Sequence, residues 1–477
     1  MPTRRMASVS NDTSIDFDAP RVRTIIKLAT PTVFAMLLQS IVNEVDVVFF
    51  SHLPDKAEAS NAQAALFPSL VIVWLFGGSL GAISVGTQAL TARRYAEKNR
   101  DAAGAVLSNA VWFTLIGGVV LSIVGSFAIP ALLRAMMSTK GNCTPQALGI
   151  AIAYSRWRIL GFVSMATTQA IKGFFDGIGK TSYHFVASLL MNVFNILFCW
   201  MFLFGKLGAP VMGAPGAGLA AFASTWIGFF VMTYYAWEHR AEFKPIRWTN
   251  LSRSLIWDML KLSVPAAIAT ILMMFGFGLF SKIVGALDVH PDCAPGEAVN
   301  GAATTDIIEV LKLTFTACIA FGTATATLVS QSMGRKRPDD AVAFAWTSVR
   351  LGLMIFGVVG LLEGVVFRRP LIEFISQSPA VRDAMMTPML IMGIVTPLIS
   401  VALILSEALF GAGETKFVAG AQGLLVFGWL VPGAWFLGVK MNMGLNGIFT
   451  AACVYAVLAS VTMTIKFRGG AWKKIVI

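Results

Sequence analysis

The sequence predicts an all-α integral membrane protein with twelve transmembrane helices in two pseudo-symmetric six-helix lobes. Hydrophobic residues fill 56% of the 477 positions and charged residues only 13%. Soluble domains contain roughly a quarter charged residues, so most of these side chains must face something other than water. A spanning helix needs about 20 predominantly apolar residues. Segments of that kind lie at 24–50, 62–92, 103–128, 146–172, 182–204, 213–237, 255–287, 303–333, 342–367, 384–412, 416–438 and 443–466.

The distribution of Lys and Arg predicts the topology. With an even number of spans, the loops on the side of the termini carry 24 basic residues and the opposite loops carry 8. Cytoplasmic loops are enriched in Lys and Arg, so both termini are expected in the cytoplasm, beneath a cell (inner) membrane. We therefore ascribe the net charge of +12 to topology rather than to nucleic-acid binding. Residues 1–22 are polar, lack the apolar stretch of a signal peptide and are expected to form a disordered cytoplasmic tail.

An internal repeat divides the chain into two similar halves. KLATPTVFA (27–35) resembles KLSVPAAIA (261–269), at an offset of 234 residues. DGIGKT (176–181) resembles FGAGET (410–415), and MGAPG (212–216) resembles MGLNG (443–447). Repeats of this kind place a solute-binding cleft between two lobes. The predicted parts are an N-terminal lobe at 23–237, a cytoplasmic loop at 238–254, a C-terminal lobe at 255–468 and a cytoplasmic tail at 469–477.

Several motifs occur in an order that is similar to a known family. The first span contains Pro31, Gln39 and Asp46, the fifth contains Asn192 and Asn195, and the tenth ends in LFGAGET (409–415). Over residues 24–474 the chain resembles the multidrug and toxic compound extrusion (MATE) family. The resemblance implies a secondary antiporter, not an enzyme, that exports small organic, often cationic, compounds against an inward flow of protons or sodium. It would need no cofactor besides that coupling ion, and would work as a monomer with small organic substrates and membrane lipid as partners.

Departures from the family pattern concentrate attention on one acid. Branches of the family place acids in helices 5, 7 and 10 at positions that are Cys199, Met273 and Leu398 or Ile399 here. Asp46 therefore becomes the candidate for cation coupling, with Gln39, Asn192 and Asn195 as hydrogen-bonding or ion-ligating neighbours. Burial disfavours the charged form of a carboxylate and a nearby base favours it, so a buried acid can load and release a proton. Amide oxygens could equally contribute to a sodium site, and the choice between the ions stays open.

Other ionisable residues inside the spans are candidate cavity charges, because each costs at least about 2.5–3.5 kcal/mol to insert. The simpler interpretation is structural pairing, which we prefer for most of them. Glu309 and Lys312 are three residues apart and can pair on one helical face. Glu44 and Asp46 are about 200° apart around a helix, so only one should face the lobe interior. The candidates are Glu44, Arg158, Lys282, Glu309, Lys312 and Glu407.

Two alternatives and a few short motifs complete the sequence analysis. A flippase for a lipid-linked saccharide would favour a strongly basic central cavity, for which Arg156, Arg158, Lys282 and Lys312 are available. An intramembrane enzyme would need a converging catalytic set, and none is found. GGSLG (77–81) lies in an apolar helix and GIGKT (177–181) lacks the first P-loop glycine, so neither indicates catalysis. Cys143 and Cys293 lie in predicted external loops, where free thiols are favoured over a disulfide; no cysteine or histidine spacing indicates a metal site.

Overall fold

The computed structural model describes residues 19–51, 53, 56–137, 145–244, 250–288, 299–376 and 378–475. Several side chains between residues 39 and 80 lie outside this description, among them those of Gln39, Glu44 and Asp46. Within the described residues every regular element is helical. An all-helical chain suits a lipid environment, because a helix satisfies its backbone hydrogen bonds internally.

The N-terminal half, residues 19–244, is built from long helices joined by short turns. They begin and end close to the predicted segments but are mostly longer. Two predicted spans are each divided in two, at Ala82 and at Gly161. The helices are α1 (Ala19–Ser51), α2 (Lys56–Gly81), α3 (Ile83–Ala96), α4 (Arg100–Met137), α5 (Pro145–Leu160), α6 (Phe162–Gly177), α7 (Ser182–Phe204), α8 (Ala214–Glu238) and the short α9 (Arg240–Phe243).

The C-terminal half, residues 250–475, repeats this plan with three π-helical interruptions. The interruptions cover Leu362–Val366, Val426–Leu430 and Trp435–Lys440. A last 3₁₀ turn covers Ala471–Lys474. The helices are α10 (Arg253–Leu287), α11 (Val299–Gly334), α12 (Pro338–Leu361), α13 (Arg368–Ile375), α14 (Pro379–Ala412), α15 (Thr415–Leu425), α16 (Val431–Ala434) and α17 (Gly444–Arg468).

Ten helical stretches of the described residues are long and apolar enough to cross a membrane. Outside this count are α1, whose side chains are only partly described, and the predicted span at 146–172. The latter forms two helices of 16 residues each, α5 and α6, which meet at Gly161. The multi-pass architecture is therefore established, and the number twelve stays a prediction.

The repeat seen in the sequence is also present in the backbone. In one motif pair a glycine with positive φ follows a helix, and in another a glycine with positive φ stands at the start of a helix. The turns after α3 and α11 each contain a lysine with positive φ. The φ angles therefore match across the two halves at three places. The pairs are Lys98 (63°) and Lys336 (59°), Gly179 (83°) and Gly413 (93°), and Gly213 (59°) and Gly444 (58°).

The two halves meet mainly through α11, which packs against α1, α3 and α6. We call the end of the bundle at which α3 and α11 finish the basic end, because the turns there carry the basic residues counted above. At this end a Cβ atom on Gly334 would lie only 2.6 Å from the Arg93 carbonyl oxygen. The absence of a side chain at Gly334 thus allows the backbones of the two halves to touch.

Close glycine packing inside the C-terminal half gives a stability prediction. A Cβ atom on Gly393 of α14 would lie 2.5 Å from the Gly364 Cα and 2.6 Å from the Gly360 carbonyl oxygen. We expect Gly393→Ala to lower the free energy of unfolding by about 1–3 kcal/mol, because both backbones must separate. Gly420→Ala is the control, since nothing lies within 4 Å of its Cβ position. Thermal unfolding in detergent should show a lower midpoint for Gly393→Ala alone; equal midpoints would contradict this packing.

Candidate functional site

A polar face runs along α7 inside the N-terminal half. His184, Ser188, Asn192 and Asn195 are spaced to share one side of the helix, and all four are buried. The Asn192 Nδ2 donates to the Ser188 carbonyl oxygen at 2.8 Å, and the Asn195 Nδ2 donates to the Ser224 hydroxyl at 3.3 Å. Among the described residues, the buried Asn192 Oδ1 has no partner. Since buried polar atoms are normally satisfied, this oxygen is available to a proton donor or a cation.

The predicted coupling residues lie on two adjacent helices. Asn192 and Asn195 are on α7, and α1, which carries Gln39 and Asp46, packs against α7. The side chains of Gln39, Glu44 and Asp46 are outside the described residues. Contact between Asp46 and the asparagines therefore stays a prediction.

Alongside apolar packing of α10 against α3, the contact between the two halves includes a set of buried hydrogen bonds, which we call the junction. It joins α3 and α6 to residues 322–334 of α11. The Gln88 Nε2 on α3 donates to the Thr323 carbonyl oxygen at 2.9 Å and to the Thr327 hydroxyl at 2.8 Å. The Thr327 hydroxyl in turn donates to the Asp176 carbonyl oxygen at 3.0 Å. Three helices from both halves are thus linked at one level of the bundle.

Closer to the basic end, further bonds extend the junction. The Ser330 hydroxyl donates to the Ala89 carbonyl oxygen at 2.8 Å, and the Gln331 Nε2 donates to the Gly177 carbonyl oxygen at 2.8 Å. Arg93, only 6% exposed, donates to the Ala412 carbonyl oxygen at 2.8 Å and to the Ile475 carbonyl oxygen at 2.9 Å. These bonds close the basic end with polar groups, which water can replace when the halves separate.

Three charged side chains lie at the level where the junction begins. The Lys172 Nζ donates to the Asp176 Oδ2 at 2.8 Å on α6, and the Asp176 side chain is 1% exposed. The Asp176 Oδ1 is buried and has no partner in the described part of the chain. On α14 of the other half, half-buried Glu407 packs over Gly322, whose Cβ position is 2.7 Å from the Glu407 Cγ. Lys172 acts electrostatically on Glu407 and on His184.

Sequence reasoning named Glu407 and missed its neighbours. Lys172 is not among the candidate charges of the sequence analysis, and Asp176 enters it only as the first residue of the DGIGKT motif. The available signal was their spacing, because a base and an acid four residues apart in an otherwise apolar segment can pair on one helical face.

The remaining candidate cavity charges do not converge. Glu309 and Lys312 pair at 2.9 Å, as their spacing predicts, with side chains 47% and 30% exposed. Lys282 and Arg156 are exposed. The Arg158 guanidinium lies over the Tyr154 ring, 5.6 Å from its centroid.

Cysteines and metal ligands add nothing to this site. Cys143 and Cys293 lie outside the described residues, and their pairing stays open. Cys199 and Cys318 are buried thiols. In the described part of the chain no group of three or more His, Cys, Asp or Glu side chains could hold a metal ion.

Comparison with known proteins identifies the class. Repeated apolar helices in two similar halves indicate a multi-pass membrane protein. The MatE family model matches residues 31–201 and again residues 265–434, and the chain belongs to this family. The two matches start 234 residues apart, which is the offset of the repeat. The chain is thus a MATE family transporter.

Relatives and solved structures agree with this assignment. The chain is 23% identical to the "Probable multidrug resistance protein NorM" of Thermotoga maritima, over 96% of this chain and 94% of that protein. It is 24% identical to the "Multidrug resistance protein NorM" of Aliivibrio fischeri, over 89% of each. Its fold is similar to a structure described as the outward-facing conformation of a multidrug resistance MATE family transporter. The TM-score is 0.84 and the identity 19%, over 95% of this chain and 97% of the other.

Substitution of two neighbouring arginines tests whether Arg93 holds the junction closed. Arg93→Met removes two buried bonds between the halves, and bonds to charged groups contribute about 1.5–3 kcal/mol each. We expect the junction to open more often, so that a cysteine at buried Ser330 reacts at least about tenfold faster with a thiol reagent. Arg94→Met is the control, because Arg94 only pairs with exposed Glu97 at 3.4 Å. Equal rates in the two variants would show that Arg93 does not hold the junction closed.

Proposed function

We propose that this chain is a secondary active exporter that exchanges small organic, often cationic, compounds for protons or sodium across the cell membrane. The observation that carries the proposal is the junction, which joins two similar halves through buried polar bonds concentrated at one end. Membership of the MatE family and relatives named as multidrug resistance proteins support export as its direction. The proposal includes twelve spanning helices in two six-helix lobes, a monomeric state and cytoplasmic termini.

Alternating access follows from the chemistry of the junction. Its bonds run from side chains to carbonyl oxygens and hydroxyls, and each is replaceable by water at modest net cost. Breaking these bonds would open the basic end, while the apolar packing within each half would persist. A transporter needs two such states of comparable free energy, since a ligand can shift only an equilibrium between accessible states.

Cation coupling is assigned to Asp46, with Gln39, Asn192 and Asn195 around it. Support comes from the packing of α1 against α7 and from the unpartnered Asn192 Oδ1. If the Asp46 carboxylate faces the bundle interior, as the family pattern implies, it would need a proton, a sodium ion or a cationic substrate as partner. Competition between the coupling ion and the substrate for one negative charge would give exchange.

The flippase alternative is not favoured by the placement of the bases on which it rests. Arg156 and Lys282 are exposed, Lys312 pairs with Glu309, and Arg158 lies over Tyr154. They are dispersed over α5, α10 and α11. A pyrophosphate group would need several of them around one cavity.

The coupling assignment predicts the behaviour of Asp46→Asn. The variant keeps the size and hydrogen bonding of the side chain but cannot carry charge. We expect it to fold and bind dye, and to lose gradient-driven export by at least about a hundredfold. Efflux of ethidium from proteoliposomes under imposed proton or sodium gradients, normalised to folded protein, measures this. Asp258→Asn, which removes an exposed acid paired with Lys261, is the control. Undiminished export by folded Asp46→Asn would remove Asp46 from the mechanism.

The topology predicts opposite labelling of two exposed positions. Ser182 begins α7 at the basic end, and Val211, which is 76% exposed, lies beyond the other end of that helix. We expect an impermeant thiol reagent added to intact cells to label Val211→Cys and to spare Ser182→Cys until the cells are permeabilised. The reverse pattern would place the termini outside.

A further inference from the structure

We infer that Glu407, Asp176 and Lys172 form a second proton-binding site, located at the junction, and that a proton bound there stabilises the closed basic end. This inference rests on the proposed exchange function and adds to it a site separate from Asp46. The junction would then bind a proton in addition to holding the two halves together.

The first argument is the charge count. Lys172 pairs with Asp176 on α6, whose carbonyl oxygen accepts from Thr327 of α11, and Glu407 packs on the same α11 at Gly322. Two carboxylates therefore lie near one ammonium, and the group carries one surplus negative charge when the basic end is closed. The Lys172 Nζ already forms an ion pair with the Asp176 Oδ2 at 2.8 Å. In a partly buried site an unbalanced charge is costly, and the group neutralises it by binding a proton.

The second argument is the set of unpartnered polar atoms. Among the described residues, the Asp176 Oδ1 is buried without a partner on a side chain that is 1% exposed. The His184 Nδ1 is likewise buried without a described partner, and its Nε2 lies 3.4 Å from the Ser188 hydroxyl. The Asp176 Oδ1 is therefore available to accept a proton.

The third argument is position. Glu407 packs over Gly322, directly beside Thr323, whose carbonyl oxygen accepts the first bond of the junction from Gln88. The site thus borders the closed contact on the side away from the basic end, and Glu407 stays half-buried rather than sealed. Among the described residues of the helices packed around it, Arg93 is bonded to two carbonyl oxygens, Arg350 on α12 is exposed, and Lys466 on α17 pairs with Glu414 at 2.9 Å.

These features give a cycle that balances charge. With the basic end closed, a proton from the opposite side binds the Glu407 carboxylate and cancels the surplus charge. When the halves separate at the basic end, water reaches the carboxylate and the proton leaves into the cytoplasm. Each proton therefore moves inward only when the junction opens. Inward proton movement is the direction that export by exchange requires.

The charge count itself supplies the test. Glu407→Gln and Asp176→Asn each remove the surplus charge, so both should hold the basic end closed at every pH. The double variant leaves Lys172 as an unpaired cation, so its junction should open again. A purely structural role would make the double variant change in the same direction as the single ones.

Spin labels at Ser182→Cys and Lys416→Cys, exposed equivalent positions of the two halves, report the opening as a distance in purified protein. The five native cysteines are first replaced by alanine. In otherwise native protein the open fraction should rise from acid to alkaline pH. Each single variant should lower the alkaline open fraction about tenfold, the effect of one unit in proton affinity. The control Asp258→Asn should behave like the native chain. If one of the two single variants does not fold, the other is sufficient for the test.

Two results would overturn the inference: single variants that keep the native pH response, or a double variant as closed as the single ones. The measurement uses no substrate, so it remains valid if dye export fails and the proposed function falls. Conversely, Asp46→Asn should keep the pH response of the junction. If Asp46→Asn lost the pH response while Glu407→Gln kept it, the response would belong to Asp46 instead.

Discussion

The contact of α11 with the N-terminal half is the constraint on which the rest of this structure depends. Residues 322–334 of one helix accept or donate the bonds that come from α3 and α6. This arrangement requires small side chains at the contact, of which Gly334 is the clearest, because its Cβ position is 2.6 Å from the Arg93 carbonyl oxygen. The long apolar helices around it could pack in several ways, and the polar contact selects one of them.

Polar contacts suit this position because they are directional and reversible. An apolar interface of the same size would gain free energy from exclusion of water and would resist separation. Hydrogen bonds to water replace those of Gln88, Thr327 and Arg93 with little net loss. Four apolar clusters lie within one half, such as those of Phe174, Phe175 and Phe243 in the first and of Phe280 and Phe449 in the second, and two others include residues of both halves. Rigid halves and a replaceable contact are what a two-state movement needs.

Much of the helical plan could be predicted from the sequence, and the contacts of the junction could not. Hydrophobic segment length predicted α7 at 182–204 to the residue, and the motif offsets predicted the left-handed glycines Gly179 and Gly413 as equivalent positions. These features are local, or depend on a comparison of the chain with itself. The pairing of Lys172 with Asp176 is also local, but its meeting with Glu407 joins residues more than two hundred positions apart. The breaks at Gly161 and the π-helical segments depend on neighbouring helices, which composition does not reveal.

Arg93 also sets an order for the assembly of the protein. Its two partners, the carbonyl oxygens of Ala412 and Ile475, follow it by 319 and 382 residues. During synthesis the arginine leaves the ribosome long before either acceptor exists. The segment around Ile475 is anchored by Trp472, which is fully buried and stacks on Phe467 at 4.7 Å. Assembly at this end requires the turn at residues 471–475 to dock, so the newly inserted N-terminal half first holds an unbonded Arg93 guanidinium at the membrane surface, where water and lipid phosphates can solvate it.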